Sequence, residues 1–318
     1  MRALFFGTPS FAVPSLDALC SIAEVVGVVC QPDKPSGRGL TLTPPPVKAR
    51  ALERGIPVVQ PTKLRTGEFA EWVRAQRADV AVVVAYGRIL PKDVLEAPRM
   101  GCVNVHASLL PKYRGAAPIT WAVVNGETES GVTLMLLDEG MDTGGTIQFF
   151  KTPVGNSETS GELSERLAVI GADAVHTTLA DFVAGRCAVT PQDNAAATMA
   201  PMLTKEDGRI DFSKSAEAVH NHVRGMNPWP SATARLNGKT VKIHRAQVAS
   251  GKGAPGEVIL ADKGHLRVAC GSSAIELETV QLEGKKPMRG VDWVIGRGVA
   301  VGDRFEAPGD GIGTSIHR

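Results

Sequence analysis

Three polar residues in the first half of the chain have the types and the spacing that acyl-transfer chemistry needs. Asn104 and His106 stand two apart at the end of a short apolar run, and Asp142 lies in Gly-Met-Asp-Thr-Gly-Gly. Side chains two apart on a strand point to the same side of a sheet. An amide can donate a hydrogen bond to a developing oxyanion, an imidazole can move a proton, and a carboxylate can orient the imidazole or balance its charge. These three residues are therefore candidates for catalysis.

Each of these residues also has a purely structural interpretation. A lone Asn-x-His is as readily a turn asparagine and a core histidine, and Asp-Thr-Gly-Gly suits a turn in which the aspartate caps its own backbone. Ser108 lacks the Gly-x-Ser-x-Gly pattern of a hydrolase nucleophile, so we interpret it as a turn or substrate-positioning residue. The flanking sequence decides between these interpretations.

The first half of the chain alternates between short apolar runs and helix-like segments. The runs are continuous and rich in valine, as buried parallel strands are, and lie at residues 3–6, 25–30, 56–59, 80–85 and 102–105. This alternation predicts an α/β fold with a doubly wound, mostly parallel sheet, whose crevice lies at the carboxyl ends of the strands. No Gly-x-Gly-x-x-Gly follows the first run, so we reject NAD binding.

After residue 208 the pattern changes to short alternating strands separated by glycine turns. An Asn-Gly pair joins the first two in a hairpin signal, and the five segments are residues 231–236, 239–248, 257–260, 265–270 and 275–282. Five short strands in about a hundred residues predict a small OB-type β-barrel.

A chain of 318 residues suggests two domains. We place a catalytic domain at residues 1–187, a linker at 188–207, the barrel at 208–306 and a disordered tail at 307–318. A capping box at Thr159 and Glu162 predicts the start of a long amphipathic helix that ends near residue 185.

Composition is that of a soluble globular protein, with 43% apolar and 21% charged residues. The sequence has no apolar run long enough to span a membrane and no signal peptide, so we predict a cytoplasmic protein with no membrane partner. The five cysteines are scattered and lack the spacing of metal ligands, so we expect reduced thiols, no disulfide and no metal site.

The charge is unevenly divided along the chain. Residues 1–207 hold 19 Lys and Arg against 22 Asp and Glu, a net charge of −3, whereas residues 208–318 hold 16 against 11, a net charge of +5. A basic module joined to an acidic one suggests a polyanionic partner for the second part. Charge alone is equally compatible with a mildly basic solvated surface.

Residues 104–111, N-x-H-x-S-L-L-P, followed by an Asp-x-Gly loop about forty residues on, resemble the folate-dependent formyltransferases. The opening Phe-Gly-Thr-Pro-Ser-Phe-Ala and the Val-Ala-Tyr-Gly before Leu90 also resemble that family, so the resemblance spans the chain. It implies a formyltransferase-like Rossmann domain that carries a formyl group from 10-formyltetrahydrofolate to an amine. It assigns Asn104, His106 and Asp142 to the family's Asn-His-Asp set.

The resemblance also implies roles for these and other residues. Asn104 and His106 would stabilise the oxyanion, through the amide and an imidazole N–H, while Asp142 would hold His106 charged or relay a proton through water. The predicted folate-binding residues flank this set and are Val84, Ala85, Tyr86, Gly87, Leu90, Ser108, Leu109, Leu110, Pro111, Leu137, Asp138, Gly140 and Met141.

The amine acceptor is predicted from a basic segment. Residues 31–39 resemble the loop of those family members that formylate initiator methionyl-tRNA, and residues 32–46 form an extended, Pro- and Gly-rich basic stretch suited to an RNA acceptor end. A plain solvated loop is the alternative. With the barrel, the predicted tRNA-binding residues are Lys34, Arg38, Lys48, Lys239, Lys242, Arg245, Lys285, Lys286 and Arg289. We expect a monomer.

Two other function classes fit parts of the sequence. An RNA-binding module with an inactive α/β half would show a disrupted Asn-His-Asp set, and the set is intact. A hydrolase that releases formate from formyltetrahydrofolate would use similar residues, but it would need neither the basic barrel nor the segment at residues 32–46.

Overall fold

The structure is a computed structural model that describes residues 1–36 and 41–306. The chain forms two compact units. The first comprises Met1–Ile119, Glu129–Pro153 and Leu163–Pro201. The second comprises Thr120–Thr128, Val154–Glu162 and the described part of Met202–Arg318.

The first unit is α/β. Its strands are β1 (Arg2–Gly7), β2 (Glu24–Val29), β3 (Lys34–Ser36), β4 (Thr41–Thr43), β5 (Val58–Val59), β6 (Val80–Val84), β7 (Cys102–His106), β8 (Arg114–Gly115), β9 (Glu129–Leu136), β10 (Thr146–Pro153) and β11 (Met199–Ala200). Its helices are α1 (Val13–Ile22), α2 (Pro46–Glu53), α3 (Glu68–Ala75) and α4 (Lys92–Leu95). Helix α5 (Pro118–Val124) begins in the first unit and ends in the second, whereas α6 (Ser160–Val183) does the reverse.

Seven strands form one sheet in the order β10-β9-β7-β6-β1-β2-β5. The five strands from β7 to β5 are parallel, and β9 and β10 add an antiparallel edge next to β7. The chain builds outward from β1 first to one side and then, from β6, to the other, so a topological switch point lies between β1 and β6. The predicted doubly wound, mostly parallel sheet is confirmed.

Apolar packing on both faces of the sheet explains the valine-rich strands. All five residues of β6 are buried. One face of the sheet packs Phe6 and Val83 against Phe69 of α3, and on the other Gly171 of α6 lies against Val105. Cys102 belongs to the first face, and alternation along β7 therefore directs Asn104 and His106 to that face as well.

The second unit is a small antiparallel barrel. Its elements are α7 (Ala216–Gly225), β12 (Ala232–Leu236), β13 (Lys239–Ala249), β14 (Val258–Ala261), β15 (Leu266–Ala269), β16 (Ala274–Leu282), β17 (Met288–Arg289) and α8 (Gly290–Ile295). The sheet order is β12-β13-β16-β15-β14, with β17 on β16. Bridges from Phe305 to Leu236 and from Arg304 to Glu257 join the two ends of this sheet. The five predicted strands are confirmed to within about two residues at each end.

The predicted linker at residues 188–207 needs correcting in its first part. Residues 188–201 belong to the first unit. Thr190 bridges Thr146 of β10 in both directions, and β11 pairs in parallel with β8. The absence of periodicity in this segment reflects irregular backbone bonded to the sheet's edge and to loops. The predicted disordered tail at residues 307–318 lies outside the described residues.

In the basic segment at residues 32–46, residues 34–36 and 41–43 are extended, as predicted, and they also pair with each other. Lys34 pairs with Thr43 and Ser36 with Thr41, so β3 and β4 form an antiparallel ribbon. Pro46 then opens α2, a position where a missing backbone N–H costs nothing. Arg38 lies outside the described residues.

Within residues 1–36 and 41–306, no helix has both the length and the apolarity to cross a membrane. In the same ranges no three or more His, Cys, Asp or Glu side chains converge as metal ligands would. All five cysteines have free thiols, and burial raises the pKa of Cys30 to about 11.

Candidate active site

His106 is the last residue of β7, and its imidazole is buried. Its Nε2 lies 3.0 Å from the carbonyl oxygen of Tyr113. A carbonyl oxygen can only accept, so Nε2 carries a proton and donates it. The other nitrogen, Nδ1, lies 3.6 Å from Oδ2 of Asp142. This distance is too long for a hydrogen bond but places a proton on Nδ1 directly beside a carboxylate.

Asp142 is held in an uncommon backbone conformation. Its φ of 54° is in the left-handed region, which costs a residue other than glycine roughly 1–3 kcal/mol. Its Oδ2 accepts a hydrogen bond of 2.9 Å from the N–H of Gly115. The side-chain amide of Gln192 donates to the carbonyl oxygens of Asp142 and Gly144, at 2.8 and 2.7 Å. The carboxylate and its backbone are therefore fixed from two sides.

Tyr113, which receives the His106 hydrogen bond, is also left-handed, with a φ of 62°. Its N–H donates to Oγ1 of Thr198 at 2.9 Å, and the N–H of the next residue, Arg114, donates to the carbonyl oxygen of Thr198 at 2.8 Å. The carbonyl that orients the imidazole is thus itself positioned by the segment that contains β11.

The loop after β7 is tied to β9. Thr133, fully buried and opposite His106 in the β7–β9 pairing, donates from Oγ1 to the carbonyl oxygen of Ser108 and accepts from the N–H of Leu110. The Ser108 hydroxyl donates to the carbonyl oxygen of Lys112 at 2.7 Å. The hydroxyl therefore closes a turn, in agreement with the turn interpretation of Ser108.

Asn104 is half-buried on the same face of β7 as His106. Within the described ranges, its side-chain amide forms no hydrogen bond with another residue, so its donors are available to a ligand. The structure thus brings the three predicted catalytic residues together: Asn104 and His106 on one strand, and Asp142 beside the imidazole.

The predicted folate loop after β6 has exposed and buried members. Val84, Tyr86 and Leu90 are buried, and the centroid of the Tyr86 ring lies 5.6 Å from that of the Phe6 ring. Burial raises the pKa of the Tyr86 phenol. The side chains of Tyr86 and Leu90 thus pack in the core, so that a ligand at this loop would meet backbone groups there, and their assignment to the folate site stays a prediction.

The exposed part of the same loop is its backbone turn. Ala85, with a φ of 46°, and Gly87, with a φ of 79°, are exposed, as is the neighbouring Ile89. The Tyr86 carbonyl oxygen between them accepts from Thr8 Oγ1 and from the Gln31 side chain. These bonds hold the turn at the β1–β6 switch point.

The other predicted folate residues lie on the loops after β7 and β9. Leu110 is buried, whereas Leu109, Pro111 and Leu137 are half-buried. Asp138 accepts from the Gly140 N–H and the Thr143 hydroxyl, which makes it a turn former, and Met141 is 53% exposed.

Three of the predicted tRNA-binding cations are engaged in ion pairs. Lys48 lies 2.7 Å from Asp33, Arg289 lies 2.7 Å from Asp292, and Arg245 bonds Glu162. Lys48 also donates to the Gln60 side chain. Those predicted cations that are exposed and form no ion pair with another described residue are Lys34, Lys239, Lys242, Lys285 and Lys286.

Sequence reasoning missed four residues that shape the site: Arg114, Thr133, Gln192 and Thr198. Thr133 sits in an apolar strand, where a buried threonine can be suspected of bonding nearby backbone. Gln192 and Thr198 lie in a stretch without periodicity, and no sequence signal marks them. Arg114 lies in Lys-Tyr-Arg-Gly, which gives no indication that its side chain is buried.

Comparison with family models matches both parts of the chain. A formyl transferase model matches residues 1–179, and a model of the formyl transferase C-terminal domain matches residues 202–298.

Curated relatives match nearly the whole chain. The methionyl-tRNA formyltransferase of Sorangium cellulosum is 56% identical over 306 residues, which cover 95% of this chain and 98% of the relative. The methionyl-tRNA formyltransferase of Myxococcus xanthus is 48% identical over 95% of this chain and 97% of the relative.

Solved structures share the fold at low identity. An N-formyltransferase from Helicobacter canadensis has a TM-score of 0.65 at 18% identity, covering 87% of this chain and 98% of that one. HypX from Aquifex aeolicus, crystallised with tetrahydrofolic acid, has a TM-score of 0.61 at 19% identity, covering 93% of this chain and 47% of that one. Methionyl-tRNA formyltransferase from Clostridium thermocellum has a TM-score of 0.53 at 15% identity, covering 79% of this chain and 95% of that one.

Proposed function

Since the chain belongs to the formyl transferase family, whose reaction is formyl transfer from folate, we propose that it formylates the amino group of initiator methionyl-tRNA, with 10-formyltetrahydrofolate as donor. The observation that carries the proposal is the pairing of His106 with Asp142. The buried imidazole at the end of β7 has its Nδ1 3.6 Å from the Asp142 carboxylate. The named relatives support the choice of acceptor. Formylated initiator tRNA would serve translation initiation, which implies a cytoplasmic location. The expected monomer stays a prediction.

The proposed chemistry is direct attack by the amine. The neutral nitrogen bonds to the formyl carbon and the carbonyl oxygen becomes an oxyanion. The C–N bond to tetrahydrofolate then breaks as the carbonyl re-forms, and a proton passes from the attacking nitrogen to the departing tetrahydrofolate nitrogen. Asn104 would donate to the oxyanion from its unoccupied amide. The Nε2 proton of His106 is bound to Tyr113, so the imidazole would act through Nδ1, with Asp142 stabilising the charged ring.

The proposed donor site lies at the carboxyl ends of β6 and β7. A pterin presents hydrogen-bond donors and acceptors that backbone groups can read, and the turn at Ala85 and Gly87 exposes its backbone there. The exposed side chains of Ile89 and Met141 are suited to a flat, partly apolar ligand. The residues present therefore fit a folate, held mainly by backbone groups and apolar contacts.

Two separate regions are proposed to contact tRNA, the β3–β4 ribbon of the first unit and a basic cluster on the barrel. Lys242 stands opposite Gln281 in the β13–β16 pairing, and the Gln281 side chain donates to the carbonyl oxygen of Lys285. Lys242, Lys285 and the adjacent Lys286 therefore lie close together, and such a cluster suits phosphates. Lys34, Lys239 and Arg38 remain proposed contacts, whereas the ion pairs of Lys48, Arg245 and Arg289 favour structural roles.

The test is a formyl-transfer assay with 10-formyltetrahydrofolate and three acceptors: initiator methionyl-tRNA, elongator methionyl-tRNA and free methionine. We expect transfer largely confined to the initiator. Transfer to free methionine at a comparable rate would contradict the proposed tRNA contacts. Release of formate with no acceptor modified would instead establish the hydrolase alternative.

A further inference from the structure

We infer that Gln192 is a positioning residue, which sets the place of the Asp142 carboxylate relative to the His106 imidazole. The inference rests on the proposed function and deepens it. Gln192 forms no hydrogen bond with either the imidazole or the carboxylate. It acts instead through the backbone of the loop that carries Asp142.

Both donor hydrogens of the Gln192 amide are used on that loop. One is donated to the carbonyl oxygen of Asp142 at 2.8 Å and the other to that of Gly144 at 2.7 Å. Because Asp142 is left-handed, its carboxylate keeps its direction only while the surrounding contacts hold that conformation. Gln192 supplies two of those contacts.

The orientation of Gln192 is itself fixed by a buried guanidinium. Arg114, 6% exposed, donates from Nε and Nη2 to Oε1 of Gln192 at 3.1 and 2.8 Å. Arg114 Nη2 also donates to the Asn194 side chain at 2.8 Å. A guanidinium has no acceptor, so the Gln192 oxygen must face it and the amide nitrogen must face the loop.

The same segment of chain fixes the other half of the pair. Thr198, six residues after Gln192, accepts the N–H of Tyr113, whose carbonyl oxygen receives the His106 proton. Register adds a third link: β11 pairs Ala200 with Gly115, and the Gly115 N–H donates to Asp142. One stretch of irregular chain therefore sets both the imidazole and the carboxylate.

The experiment uses two variants of the full chain. Gln192→Glu keeps an acceptor for Arg114 but removes both donors, and Gln192→Met keeps the length without hydrogen bonds. Gln76→Ala is the matched control, because Gln76 likewise donates to a backbone carbonyl oxygen, that of Trp72. Formylation kinetics, the pH profile of kcat and the ring ¹⁵N shifts of His106 without substrate are measured for each.

We expect both Gln192 variants to lower kcat by about 10- to 100-fold, because a misplacement near 1 Å is sufficient for such a loss. KM for either substrate should change less than about threefold, the pH profile should move, and the His106 ring shifts should differ from wild type. Gln76→Ala should match wild type in all of these.

Unchanged His106 ring shifts and an unchanged pH profile in both Gln192 variants would overturn the inference, even if kcat or thermal stability fell. If the wild-type chain formylates no tRNA, the proposed function fails separately. The ring shifts would still decide whether Gln192 positions the pair.

Discussion

His106 donates a hydrogen bond of 3.0 Å from Nε2 to the backbone carbonyl oxygen of Tyr113, and this bond determines which ring nitrogen is available for chemistry. With Nε2 protonated, the neutral ring has its lone pair on Nδ1. Nδ1 faces Asp142, so a proton gained there is held beside a negative charge. Proton transfer should therefore pass through the Nδ1 side of the ring.

Asn104→Ala should reduce kcat by roughly a hundred- to a thousandfold, the usual cost of one oxyanion donor. Asn104 is half-buried and forms no hydrogen bond with other described residues, so the fold should survive its truncation. Steady-state kinetics and thermal unfolding on the same preparation check this. A variant with near-wild-type turnover would remove Asn104 from the oxyanion site.

Asp142→Asn should reduce kcat by about a hundredfold or more, because the variant loses the charge that stabilises the imidazolium. An amide oxygen can still accept the N–H of Gly115, so the loop should keep its conformation. Asp181→Asn, an exposed change in α6 that removes a charge from an ion pair with Arg186, is the control. Equal kinetics for the two variants would contradict the proposed role of Asp142.

Charge reversal of both Lys285 and Lys286 to Glu should weaken tRNA binding and lower the slope of log Kd against log salt by about 2, one unit for each lost phosphate contact. Measurement of the Kd for tRNA at salt concentrations from about 50 to about 200 mM tests this. Lys263→Glu, at the β14–β15 turn, is the control for a change in net charge alone. An unaltered slope in the double variant would place the tRNA elsewhere.

Lys48→Met tests whether Lys48 anchors the ribbon instead of binding phosphate. Hydrogen bonds from Lys48, then from Gln60, lower the pKa of Asp33, so this pair stabilises the folded state above the ordinary Asp pKa of about 3.9. The difference in unfolding free energy between wild type and variant should therefore be present at neutral pH and vanish as the pH falls below about 4. The salt slope of tRNA binding should stay as in wild type. A reduced slope would restore Lys48 as a phosphate contact.

His222→Gln should remove a pH dependence of stability. Burial lowers the pKa of the His222 ring and Lys214 acts in the same direction, against a backbone hydrogen bond of Gly208 and the carboxylates of Asp207 and Asp211. Since the folded-state pKa is depressed, wild type should lose stability as the pH falls below the ordinary value of about 6.5. Thermal unfolding from pH 8 to 5 should show a smaller loss in the variant. Parallel curves would assign the loss to other groups.

The strand pattern predicted the part of the site that depends on local order. Alternation places Asn104 and His106 on one face, and the end of an apolar run locates the sheet edge where chemistry occurs. The position of Asp142 beside His106 depends on β9 pairing antiparallel with β7, a relation that alternation alone leaves open. Resemblance to a family, and not periodicity, connected those residues.

The rest of the site depends on single long-range hydrogen bonds. Gln192 follows Asp142 by fifty residues in a stretch with no repeat, so nothing in its neighbourhood predicts the carbonyl oxygens that it reaches. The ion pairs of Lys48 and Arg245 could not be predicted for the same reason, because the sequence does not show whether a charged side chain faces solvent or a distant carboxylate. Hydrophobic patterns in the sequence therefore predict which side chains are buried, but they do not predict which distant side chains form hydrogen bonds or ion pairs.

The alternation of the chain between its two units has a consequence for how this protein can be divided or recombined. Residues 120–128 and 154–162 belong to the second unit, although in the sequence they are separated from its main part, which begins at Met202, by segments of the first unit. Val124 packs on that unit's core, and Arg224 donates to the carbonyl oxygens of Gly155 and Glu158. A chain ended at residue 201 would therefore retain two segments that lack the rest of the unit against which they pack. The second unit cannot be exchanged between homologues at one junction, and a functional chimera requires three matched pieces.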